Sequence, residues 1–76
     1  MIPIPLSMVQ EGERVRVVEI RAGRGLIRRL LSIGIGLGDV IEVISNSPPG
    51  QVIIGKGGMR LGLGFGMAHK ILVLPA

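Results

Sequence analysis

No cysteine, tryptophan or tyrosine occurs among the 76 residues, and Phe65 is the one aromatic side chain. The missing cysteines exclude disulfides and thiolate metal sites and fit a reducing compartment. His69 is the only histidine and just five carboxylates are present, Glu11, Glu13, Glu19, Asp39 and Glu42. They are spread along predicted strand faces and turns, so a closed site of about four ligands from one chain is not assembled. His69 reads as a surface or half-buried residue that would hold metal only by sharing it between two molecules. One histidine also serves Ser7, Ser32, Ser45 and Ser47 poorly, because no spacing pairs a nucleophile with a base. No catalytic residue, cofactor or metal site is therefore assigned, and the chain reads as a non-enzyme.

A long apolar run is lacking too. Leu30 to Gly38 holds Ser32 and three glycines, far below the roughly 18 residues that span a bilayer. Met1-Ile2-Pro3-Ile4-Pro5 has no basic start and two prolines, unlike a signal peptide. A soluble, cytoplasmic chain is expected, one domain over residues 1–76.

What is present is aliphatic and basic. Ile, Val and Leu number 28, and mean hydropathy is +0.61. A chain of this size buries about 60–65% of its unfolded surface, so some aliphatics should form an exposed contact patch. Nine Lys and Arg against five acids give a net charge of +4. Seven of the nine are Arg, suited to planar pairing with carboxylate or phosphate.

Periodicity orders these residues. Pro3 and Pro5 hold an extended entry, and Ser7 to Gly12 reads as a turn. In Arg14-Val15-Arg16-Val17 the valines face inward, and the phase then slips at Val18-Glu19-Ile20, as at a bulge. From Leu26 the period is helical: Leu26, Leu30 and Ile33, with Ile27 and Leu31, form an apolar stripe opposite Arg28, Arg29 and Ser32. Gly34 suits the helix C′ position. Strands follow at 40–44, 51–55, 60–63 and 70–74, with turns at 46–50 and 56–58 and a Gly-rich link over 64–69 that has room for one helical turn. Five short strands, one short helix and glycines at bends make a mainly β chain, a small SH3-like barrel.

Two glycine motifs tempt and fail. Gly50-Gln51-Val52-Ile53-Ile54-Gly55-Lys56-Gly57 matches a phosphate-binding loop except at its last position. Its interior is β-branched, however, and a turn follows where the cradle needs a helix. The Gly34, Gly36, Gly38 triplet follows a helix, where a dinucleotide fingerprint must follow a strand.

Contact residues are more promising. Arg24, Arg28, Arg29 and Arg60 are the candidate charged rim, with Phe65 and Met67 in the Gly62–Met67 segment as anchors if exposed. The other reading of Phe65 is a plug at the barrel end. The remaining methionines, apart from the initiator Met1, read as gap-filling or contact residues. Nucleic acid is an alternative partner for these arginines, but one aromatic makes no stacking platform. A self-associating module with a symmetric interface is a further alternative.

Several ordered segments carry a family likeness. Pro5-Leu6-Ser7, Gly12-Glu13, the strand to Ile20 and Gly25-Leu26-Ile27-Arg28-Arg29-Leu30-Leu31-Ser32-Ile33-Gly34 open it. Leu37-Gly38-Asp39-Val40-Ile41-Glu42-Val43-Ile44, Ser47-Pro48-Pro49-Gly50 and Ala68-His69-Lys70-Ile71-Leu72-Val73 complete it. Together they resemble the FeoA family (ferrous iron transport protein A). The resemblance implies an SH3-like barrel and a cytosolic accessory role in bacterial or archaeal ferrous iron uptake. The implied partner is the GTPase domain of the FeoB transporter, through which alone the chain would meet the membrane. Gly62 to Gly66 is richer in glycine than that family's pattern.

Overall fold

A computed structural model describes residues 2–76; Met1, read above as the initiator, lies outside them. The chain builds one antiparallel sheet from β1 (Ile4–Pro5), β2 (Arg14–Ile20), β3 (Val40–Asn46), β4 (Gln51–Lys56), β5 (Met59–Gly64) and β6 (Ile71–Pro75), in the order β1-β6-β2-β3-β4-β5. Helix α1 spans Arg24–Ser32 and helix α2 spans Phe65–His69. This is the small SH3-like barrel expected, with one more strand than periodicity indicates. The sixth is β1, where the extended entry pairs Ile4 with Val73 and Pro5 with Leu72. Pro5 is tolerated there because β1 lies at the sheet edge, with Pro3 just before the strand. A 3₁₀ turn at Leu6–Met8 opens the segment expected to be a plain turn.

Val15 and Val17 are buried as their alternation requires. The phase slip is a bulge: pairing of β2 with β6 jumps from Val17 to Glu19, so Val18 is the extra residue. A second irregularity lies between Val43 and Ser45 on β3. Bulges sharpen local twist, and two of them bend the strands around one aliphatic core. Val17, Leu30, Ile35, Val43, Val52, Ile54 and Ile71 are all fully buried there.

The β4–β5 turn needs two left-handed residues, and Gly57 (φ 56°) with Gly58 (φ 83°) supplies them. Such mirror-image turns match strand twist. Asn46 ties the N-terminal segment to β3, its Nδ2 donating to the carbonyls of Ser7 (2.8 Å) and Val9 (2.9 Å). No helix among the described residues is long and apolar enough to cross a membrane.

Candidate docking surface

Helix α1 begins without help. Its N-cap is Gly23, no side chain caps it, and its first turn holds no acid. Arg24 sits instead at the positive end of the helix dipole, a placement that costs about 0.3–1 kcal/mol at an exposed site. The far end is well made. Gly34, at φ 96°, lets its own N–H donate to the Leu31 carbonyl (3.0 Å) and the Ile35 N–H donate to the Leu30 carbonyl (2.8 Å). These are the two bonds of a Schellman ending, and its hydrophobic pair, Leu30 and Ile35, is fully buried.

The expected apolar stripe divides on this geometry. Leu30 is the only α1 residue in the buried core, whereas Leu26 and Ile27 are half-buried. Leu31 is 59% exposed and Ile33 is 38% exposed. Two helical turns cover only a narrow face of the barrel, so the stripe is wider than its support. Leu31 lies over Gly36, where an added Cβ would come within 2.9 Å of Leu31 Cδ2. Leu37 and Met59 are exposed as well.

Beside this patch lies a cleft of about 220 Å³ between the helix exit and the β4–β5 hairpin, lined by Ile33, Gly34, Lys56, Gly57, Met59 and Leu61. A polar latch fixes its walls. Asp39 Oδ2 accepts from the Gly36 N–H (2.7 Å) and from Lys56 Nζ (2.8 Å). Lys56 Nζ also donates to the Gly34 carbonyl. The hydrogen bond from Lys56, reinforced by the Gly36 amide, holds the Asp39 carboxyl below its ordinary range.

The sequence-predicted contact residues do not form one group. Arg24, Arg28 and Arg29 are exposed on α1. Among the described residues the ion pairs are Arg21–Glu19 and Lys56–Asp39, so these three arginines are unpaired. Arg60 is exposed on β5 and lines a separate groove on the sheet. Phe65 and Met67 lie on α2, half-buried against the core, so the plug reading of Phe65 fits its position better than the exposed anchor. His69 is exposed, and its Nδ1 shares a 3.0 Å hydrogen bond with Ser7 Oγ. Among the described residues no cluster of three or more metal-ligating side chains occurs. Sequence reasoning placed Leu31 and Ile33 in the buried stripe, did not assign Leu37, and left Met59 open between gap-filling and contact; all four are surface residues. A signal was present: Met59 directly follows a Gly-Gly turn, where a hairpin tip has little to bury it.

Known proteins share this architecture. The FeoA domain model matches residues 4–75. An Fe(2+) transport protein A, so named provisionally, from Methanocaldococcus jannaschii is 45% identical over 72 residues, covering 95% of this chain and 87% of that one. The crystal structure of an iron uptake regulatory protein (FeoA) superposes with a TM-score of 0.87 at 32% identity over the full length of both chains. A manganese-dependent transcriptional repressor shares the fold, at 24% identity and a TM-score of 0.88, over 97% of this chain and 42% of its own. With a family match across nearly every residue and a barrel that superposes end to end, this chain belongs to the FeoA family.

Proposed function

We propose that this chain is an accessory protein of ferrous iron uptake that acts by contact, without catalysis of its own. It docks on the cytoplasmic GTPase region of a FeoB-type transporter and modulates that partner's activity or assembly. One observation carries the reading: an apolar cleft lined by exposed Ile33 and Met59, with exposed Leu31 alongside, lies beside a helix whose arginines have no acidic partner among the described residues. An apolar centre with a charged rim is the ordinary anatomy of a protein interface. Family membership and the iron-transport name of a relative support a role in ferrous iron transport, with which a FeoB-type partner is consistent.

In this reading Arg24, Arg28 and Arg29 form the rim beside the cleft. Arg60 extends it along the hairpin, and Phe65 and Met67 contribute only what the core leaves uncovered. An NMR titration with the soluble GTPase domain of the cognate transporter, with and without guanine nucleotide, tests it. Shifts confined to 24–37 and 56–61 are expected, and Arg28→Glu with Arg29→Glu should weaken binding while leaving the spectrum folded. Undiminished affinity in that double variant removes the helix from the interface. No shifts with the GTPase domain, alongside shifts with a generic oligonucleotide, would favour the nucleic-acid alternative.

A further inference from the structure

A second concave surface lies on the outer face of the sheet; it shares Lys56, Gly57 and Met59 with the apolar cleft and holds Arg60, but its Arg14 and Glu42 walls are not used by the docking reading. Cross-strand registers place Arg14 opposite Glu42, Glu42 opposite Gly55, and Gly55 opposite Arg60. These four residues form one row across β2, β3, β4 and β5, all on one face. They border a groove of about 410 Å³, within the range of small-ligand and peptide sites. Gly55 makes room in the row for Ile44, which lies over it: an added Cβ would sit 2.9 Å from Ile44 Cδ1. Arg14 and Arg60 are exposed and neither forms an ion pair among the described residues.

The spacing restricts the ligand. Three strand intervals of about 4.8 Å separate the two arginine positions by about 14 Å along the sheet. One small anion would meet both guanidinium groups only with the two side chains fully extended toward each other past Glu42, whose carboxylate repels it. Carboxylates at positions i and i+4 of an extended segment stand about 13 Å apart and on the same side. In a helix the same pair spans only about 6 Å. Glu42 selects as well. It stands between the arginines, disfavours a continuous run of negative charge, and favours a donor on the middle residue. A phosphodiester chain meets that repulsion and finds no aromatic in the lining on which to stack bases.

We propose that this groove binds an extended acidic segment of a partner protein, with carboxylates four residues apart engaging Arg14 and Arg60 and a hydroxyl or amine between them facing Glu42. The groove can be probed without any transporter, so its failure and that of the docking reading are separate events.

The probe is the peptide acetyl-Glu-Val-Thr-Val-Glu-amide, titrated to millimolar concentration into the labelled full chain, with acetyl-Gln-Val-Thr-Val-Gln-amide as control. Saturable shifts at 14, 40–44 and 55–60 are expected for the glutamate peptide only, weakening with added salt. Arg14→Glu and Arg60→Glu should each lower affinity roughly fivefold or more, the scale of an exposed ion pair lost and reversed. Glu42→Gln should raise it about two- to fivefold by removing a like charge. A structural role alone would not produce that gain. Equal shifts from both peptides, no shifts at millimolar concentration, or unchanged affinity in both arginine variants would overturn the proposal. Tighter binding of a deoxythymidine oligomer at the same residues would overturn it too.

Discussion

The two helices make an instructive pair. Helix α2 has five residues and packs against the barrel, with Ala68 buried and Phe65 and Met67 half-covered. Helix α1 has nine residues and buries only Leu30. The shorter helix turns its apolar side chains to the core, whereas the longer one leaves Leu31 in solvent. A helix that needed only to stabilise the barrel would carry polar residues at such positions. In the docking reading, surplus aliphatic surface next to arginines unpaired among the described residues separates α1 from a helix that only plugs the barrel.

The sharpest way to break this comparison is within α1 itself. Leu30→Ala should destabilise the chain by about 2–5 kcal/mol, as for a fully buried leucine. Leu31→Ala should cost no more than about 0.5 kcal/mol, as at an ordinary surface site. Urea denaturation of the two variants decides it, and equal losses would mean that Leu31 is core after all. Next in size is Gly34→Ala. No atom crowds that site, yet its left-handed backbone should cost about 1–2 kcal/mol in any L-residue, measurable as a lower melting temperature.

Asp39→Asn removes the latch between the α1 exit and the hairpin, with an expected loss of about 1 kcal/mol for a half-exposed charged hydrogen bond. Its pH dependence has a definite sign. The folded carboxyl is depressed relative to its ordinary value of 3.8, so its contribution is complete above about pH 5 and fades as pH falls through the ordinary value toward the folded one. The Asn variant should lack that part of the acid sensitivity when melts are compared across mildly and strongly acidic buffers. The smallest effect should be a gain. Gly25→Ala, in an open position of the first helical turn, should stabilise α1 by about 0.5–1 kcal/mol; a loss would show that the N-terminus of α1 is packed more tightly than its exposure indicates.

Legibility in the sequence followed the range of the interactions. The β2 alternation and its slip at Val18, the Gly34 ending and the Gly57-Gly58 turn are local, so residues near in sequence were enough. Strand β1 was not legible, because a two-residue strand has no period and exists only through its pairing with Leu72 and Val73 of β6. The same limit applied to the site. That Leu31 and Ile33 stay outside depends on how little of the barrel α1 can cover, and the Lys56–Asp39 latch joins residues 17 apart. Arg60 was legible as an exposed base, but its companions Arg14 and Glu42 come from strands that only the register brings beside it.

The hairpin tip has one more consequence. Lys56, Gly57 and Met59 line both the apolar cleft and the sheet groove, so the two cavities share a partition. A carboxylate in the groove that drew Lys56 away from Asp39 would also break the latch on the loop that walls the cleft. If both proposed sites are filled, occupancy on one side would change affinity on the other, and thermodynamic linkage would make the effect mutual: whatever factor the first ligand imposed on the second, the second would impose on the first.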